Sequence, residues 1–341
     1  MIIKSLHFPL ALLLLCLALS ACSQGEGEFL DSARAAVYVS GAYNNQACYW
    51  VDDGDGVRRI TLQVPLGTTQ SLANSIFVEK GTVYTVGYYV YPQQTACCWV
   101  NEKLITLPGT LPSQAYALWV QDGTIYIAGY CNMNRAGYWI NTTYHDLSTE
   151  IDGSSSPSYA MSIQREGANL YIAGYYPNGA LDIWYKKNSE SIKYLPGSNN
   201  AVISKMHVYN DTIHICAFIT GGVHYWRNGD WIASFNAQSS YFSLVYDAGN
   251  VYIAANAPYT GLPYAVLYTV GLPSPQVITP PSLMSSSCTG IKAAGRSLFI
   301  SGWDNAQNTL WYWVDGRKVI LETGTSIDAT AIFVAPKSQA E

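Results

Sequence analysis

The chain reads as an all-β protein, a seven-bladed β-propeller of four-stranded antiparallel blades closed by pairing of the C-terminal strand with the first blade. Three observations predict this. A unit returns about every 43 residues, which is the period of propeller blades. Each unit holds four short runs rich in β-branched and aromatic residues, divided by Gly, Asn, Asp and Pro. No long stretch beyond the N-terminal segment keeps a helical period.

Taken in order, residues 1–21 are expected to be a signal peptide rather than part of the ring. Lys4 precedes the apolar run FPLALLLLCLAL (8–19), which is short for a bilayer span and has the proportions of a secretory h-region. After that charge and that run, Leu19-Ser20-Ala21-Cys22 resembles the lipobox of bacterial lipoproteins. The resemblance implies lipidation of Cys22 as the first mature residue, and more than one acyl chain is enough for stable membrane anchoring. With Ser23 rather than an aspartate after the cysteine, it also implies an exported protein at the bacterial outer membrane or cell surface. Residues 22–34, small, polar and acidic, suit a flexible tether.

Residues 35–335 are the expected propeller and 336–341 a C-terminal tail. The second unit shows the plan: SLANSIFVEKG (71–81), TVYTVGYYV (82–90), ACCWV (96–100) and KLITL (103–107). Across units, Tyr38, Tyr84, Tyr126, Tyr171 and Tyr252 fall in one column, with His214 and Phe299 in the same place. A second column holds Trp50, Trp99, Trp139, Trp184, Trp226 and Trp313, with Leu267 in the sixth unit. A small sheet apolar on both faces needs a neighbour against each, so these columns are expected to be wedges between blades. Gly41, Gly87, Gly129, Gly174 and Gly302 fit places where a neighbouring side chain comes close. The first unit, AAVYVSGAY (35–43), lacks the strand that should precede it, and IDATAIFVA (327–335) is that missing type. Their pairing would seal the ring without a free edge.

This order of strands resembles NHL-type and related bacterial propellers. The resemblance implies that the strands at 72–79, 115–122, 158–165, 202–209, 241–247, 288–294 and 327–334 line a central channel. His207 falls in one of these strands, and alternation places Trp119 and Lys292 similarly in others. These three are candidate ligand-binding residues. Tyr89 and Tyr176 are two more: with Tyr43, Tyr91 and Tyr259 they lie at or just beyond the ends of second strands, where rings beside amides suit sugar stacking.

Other motifs are read as structure. His145, His207, His214 and His224 show no HxH or HExxH spacing, and His214 sits in the tyrosine column as a packing residue. Asp52, Asp53 and Asp55 share part of a calcium loop, but Ile60-Thr61-Leu62 stand where further ligands are needed, so a hairpin turn is expected. Cys48, Cys97, Cys98, Cys131, Cys216 and Cys288 allow either a bridge from the 97–98 pair to Cys131 or buried thiols acting as small apolar residues. There is no G-x-S-x-G elbow and no assignable carboxylate pair.

The formal charge is -5 and charged residues make up 12%, with Lys and Arg scattered singly. Nucleic acid is therefore not expected as a partner, nor is a cofactor or metal. The expected function is a lipid-anchored, exported, non-enzymatic binding or assembly module for a protein partner. A glycan-binding propeller is the alternative, and a hydrolase or lyase the third reading.

Overall fold

The computed structural model describes residues 35–337 apart from 133, 152–156, 178–180, 220, 238–240, 260–261, 280–285 and 305–306. Residues 1–34, Cys22 among them, and the last four residues lie outside the described residues. Seven four-stranded antiparallel sheets follow the repeat. Blade 2, counted from the axis outward, is Gln70–Glu79, Thr82–Val90, Gln94–Val100 and Lys103–Thr106. Blade 1 takes its inner strand from the other end of the chain: Ile327–Pro336 runs beside Ala35–Tyr43, from Ala35↔Pro336 to Tyr43↔Ile327. The ring therefore closes as expected.

The many asparagines and glycines are explained by the hairpins. Asn44-Asn45, Asn101-Glu102, Asn210-Asp211 and Asp315-Gly316 all have positive φ at both residues, the backbone that lets a two-residue turn follow the twist of its strands. In the DDGDG segment, Asp52 and Asp53 accept the amides of Gly54 and Asp55 at 3.0 and 3.1 Å, while Tyr312 donates to Asp52 at 2.8 Å. The carboxylates are used in the turn and its seam.

The glycine column has a more specific cause than the close side chain expected. Inner strands in six blades carry a one-residue bulge, for example between Ala73 and Ser75 and between Ala115 and Ala117. The bulge turns a carbonyl toward the second strand. A Cβ on Gly87 would lie 1.8 Å from the Leu72 oxygen, and one on Gly129 2.0 Å from the Gln114 oxygen and 3.0 Å from the Trp139 ring. Backbone and indole together exclude any side chain. Alanine stands in the column in two blades, at Ala217 opposite the bulged inner strand of blade 5 and at Ala255 in blade 6.

Trp50, Trp99, Trp139, Trp184, Trp226 and Trp311 are fully buried, in the clusters that join neighbouring blades. The column differs from the sequence alignment in two places, at Trp184 and Leu267, and blade 7 adds Trp311 beside Trp313. Trp50, Trp99, Trp139, Trp226 and Trp313 face the residue two before the glycine position. Trp184 instead faces Gly174 itself, Trp311 likewise faces Gly302, and Tyr268 rather than Leu267 holds the place in blade 6. Several indoles also reach back one blade: Trp99, Trp139 and Trp226 donate to the carbonyls of Gln63, Pro108 and Pro196 at 2.6, 2.7 and 3.2 Å.

A second repeated device has no counterpart in the sequence reading. Ser71, Ser113, Ser158, Ser198 and Ser286 each accept, through Oγ, a backbone N–H of the preceding blade's third strand: Ala47, Ala96, Ala136, Ile183 and Ala265 at 2.8 to 3.2 Å. All five bonds are buried, so each hydroxyl supplies a partner that the amide cannot obtain from water. The six cysteines are free and buried. Burial pushes the thiols of Cys98 and Cys131 up to about 12, and they pack in one cluster as apolar groups.

Candidate functional site

Residues i and i+2 of each inner strand share a face, and this builds the channel wall in layers. One layer holds Phe77, Trp119, Gln164, His207, Val245, Lys292 and Phe333. Six of these pair with the tyrosine-column residues Tyr84, Tyr126, Tyr171, His214, Tyr252 and Phe299, and Phe333 pairs with Tyr38. Two residues nearer the strand starts lies a layer of small side chains, Ser75, Ala117 and Ser162 among them, interrupted by Lys205. Together the layers enclose a cavity of about 120 Å³.

The wall has two unlike sides. On blades 1 to 3, Phe333, Phe77 and Trp119 form a continuous aromatic surface, with ring centroids 4.6 Å apart for Phe77–Phe333 and 5.2 Å for Phe77–Trp119. On blades 5 and 7 stand Lys205, His207 and Lys292, and the residues lining the cavity include no carboxylate. Lys292 Nζ lies 5.1 Å from the centroid of Phe333, close enough for a cation–π contact. Burial, then the Lys292 ammonium, draws Lys205 down to about 8, and burial also lowers Lys292. Burial, Lys292 and His214 bring His207 down to about 3, so its imidazole is neutral at pH 7. Gln164 is committed elsewhere: its amide donates to Val208 O at 2.7 Å and accepts from Val208 N at 2.8 Å, which ties blade 4 to blade 5.

At the end of the channel where the inner strands begin lies a tyrosine cluster contributed by blades 2, 3 and 4. Tyr116 occupies the bulge of its strand. Its ring centroid is 5.9 Å from that of Tyr130, Tyr130 meets Tyr159 edge-on at 5.4 Å, and Tyr159 stacks on Tyr175 at 4.8 Å. Tyr88 completes the group: burial and then the other four rings raise the Tyr116 phenol, whereas burial alone raises Tyr159, and burial followed by Asp328 raises Tyr88. Gln94 donates to Tyr130 Oη at 2.8 Å, and Gln70 to Tyr88 Oη at 3.2 Å. Tyr88, Tyr116, Tyr159 and Tyr175 are half-buried.

The sequence candidates are thus divided. Trp119, His207 and Lys292 meet in the channel. Tyr89 and Tyr176 do not join them: at 7% and 4% exposure they lie in the cores between blades 1 and 2 and between blades 3 and 4. Their neighbours Tyr88 and Tyr175 lie on the opposite faces of the same strands and are half-buried, Tyr175 against the cluster between blades 4 and 5 and stacked on Tyr159. Lys205 was missed, although it stands two residues before His207 and alternation puts both on one face. His214 packs as expected. It is 2% exposed, with Nδ1 2.6 Å from Tyr225 Oη, and burial followed by the Arg227 charge lowers it to about 4.

No family model matches the chain, and no curated protein matches it. Solved structures do resemble it. A chain in the crystal structure of a nidogen/laminin complex superposes with a TM-score of 0.48 at 9% identity, covering 88% of this chain and 99% of that one. A triple-arginine mutant of AofleA from Arthrobotrys oligospora gives 0.47 at 15% identity, covering 78% and 88%. YCF48 bound to D1 peptide gives 0.52 at 11% identity, covering 80% of this chain and 95% of that one. At such identities the similarity is one of fold: the chain is a β-propeller.

Proposed function

We propose that the protein is a non-enzymatic docking module that holds a segment of a protein partner across the tyrosine-lined mouth of its channel. One observation carries this reading. Five tyrosines from three successive blades converge at one end of the channel, and four of them keep part of their surface in solvent. Tyrosine supplies a large, rigid contact area with a polar tip and little rotamer entropy to lose, which is why it dominates recognition surfaces. YCF48, a propeller of the same fold, is bound to a peptide in its own structure. The case for this chain rests on its own rings.

The proposal includes the two ends of the chain. Residues 1–21 direct export, lipid on Cys22 anchors the mature protein through the 22–34 tether to an outer membrane or cell surface, and the ring belongs with NHL-type propellers. Support for export and anchoring lies in the apolar run 8–19 and the Leu19-Ser20-Ala21-Cys22 segment, and for the NHL-type likeness in the repeat length and strand order. Labelling with a fatty-acid analogue should mark the wild-type chain and fail on Cys22→Ala.

A photo-crosslinking residue placed at Tyr116 tests the docking site. A discrete protein adduct that disappears when Tyr159→Ala and Tyr175→Ala are added is the expected outcome. Saturable binding on a glycan array, lost in the same variants, would replace the protein partner by a sugar.

A further inference from the structure

We propose that the central channel is a receptor for a carboxylate carried on a small apolar body, with Lys205 and Lys292 holding the anion and Phe77, Trp119 and Phe333 enclosing the body. This goes beyond docking at the mouth and does not depend on it.

Among the described residues the two channel lysines lack a counter-ion. Two ammonium groups on different blades line one cavity, and no Asp or Glu lines it with them. Among the described residues neither has a hydrogen-bond or ion-pair partner; Lys292 has the face of Phe333 alone. Both side chains keep part of their surface open to the channel, yet an ammonium drawn partly out of water without a counter-ion is still destabilised, and a second one nearby adds repulsion. The lowering of Lys205 to about 8, caused by burial and then by Lys292, reflects both effects. Packing does not require these charges, because the positions equivalent to Lys205 in the other blades are Ser, Ala and Gly, and those equivalent to Lys292 are Phe, Trp, Gln, His and Val. A bound anion would relieve both terms at once.

The remaining wall identifies the class of anion. The opposite side is aromatic and nearly continuous, and the cavity of about 120 Å³ has room for a few heavy atoms beyond the charged group. There is no arginine among its lining residues to supply the planar fork that recurs where a phosphate is recognised bidentately. His207, drawn down to about 3 by burial and its basic neighbours, is neutral and adds a single ring N–H donor. A monoanion with an apolar stem matches this lining better than a phosphate dianion. Both a free organic acid and the C-terminal residue of a partner chain have that chemistry.

The test is a set of titrations of the full chain at pH 7, followed by thermal shift and calorimetry. The probes are benzoate, its neutral counterpart benzyl alcohol, inorganic phosphate, and a short peptide ending in phenylalanine as the free acid and as the amide. Benzoate or the acid peptide should raise the melting temperature while benzyl alcohol and the amide do not. Benzoate alone identifies a free acid, and the acid peptide identifies a chain terminus. Lys205→Met and Lys292→Met should each weaken binding at least tenfold while leaving the circular dichroism spectrum unchanged. Lys205 is faced by Lys292, His207 and the Cys216 thiol and by no acid, so affinity should fall as pH rises through 8 and binding near pH 8 should take up protons. Three results overturn the proposal: no shift with either carboxylate, phosphate binding as tightly as benzoate, or carboxylate binding that survives both lysine substitutions.

Discussion

The seams between blades and the wall of the channel are built from the same strands but obey opposite rules. A seam repeats: a tryptophan over a glycine, a serine hydroxyl under a backbone amide, an indole reaching back to the preceding linker. The inner strands also repeat in register, yet their channel-facing side chains run from Phe333 and Trp119 to Lys205 and Lys292 without any common chemistry. Repeated residues solve the problem each blade shares, which is to bury two apolar faces. Residues that break the repeat while sharing its backbone answer to something else. Seam residues should therefore stabilise the ring, and the channel lysines should cost stability.

Substitutions that exchange those signs would break the contrast, and urea unfolding can measure each of them. Trp139→Ala, which empties a fully buried seam, should lose about 4 kcal/mol. Gly87→Ala places a methyl 1.8 Å from the Leu72 carbonyl, and the backbone shift that follows should cost about 2–3 kcal/mol. Lys205→Met should act in the other direction. Its native value near 8 lies below the ordinary 10.5, so the unfolded chain binds this proton more tightly. The penalty is complete below pH 8 and vanishes as pH rises to 10.5, where stability increases. Removing the charge should gain on the order of 2 kcal/mol at pH 7 and flatten that rise. Smallest is Ser113→Ala, which leaves the buried Ala96 amide without its acceptor and should cost about 1–2 kcal/mol.

Acid tests the same contrast from another side. His207 and His214 are held neutral at about 3 and 4, below the usual histidine value. In the unfolded chain they charge first, so stability should fall as pH drops from 6.5 toward 4. Replacing His207 by Gln should remove its share of that loss.

The fold was legible because packing demands are periodic. Tyr84, Tyr126 and Tyr171 return at blade spacing for the same reason that the sheets do, and the orphan strand at 327–335 could be matched to the incomplete first unit. Register within a blade was less legible. Hairpins vary in length, so counting residues from the glycine put Trp184 two positions away from where pairing puts it. The serine latches left no trace in the pattern, since each joins a hydroxyl in a linker or at the start of an inner strand to an amide in another blade.

At the candidate site the difference came down to single-residue alternation. Tyr89 and Tyr176 were the conspicuous choices at strand ends, and Tyr88 and Tyr175 beside them are the ones that join the tyrosine cluster. Lys205 could have been found from His207 by stepping two residues back along the strand. The aromatic side of the channel could not have been found that way, because Phe77, Trp119 and Phe333 come from three distant parts of the chain and meet only when the ring is closed.

Closure also gives the molecule a front and a back. Inner strands descend from the tyrosine mouth to hairpins such as Lys80-Gly81, and second strands climb back. Ala35 opens a second strand and Pro336 finishes an inner one, paired residue to residue. Both ends of the ring therefore emerge side by side on the face remote from the tyrosines. A support gripping either end would hold the disc from behind, leaving the aromatic mouth turned outward toward whatever approaches.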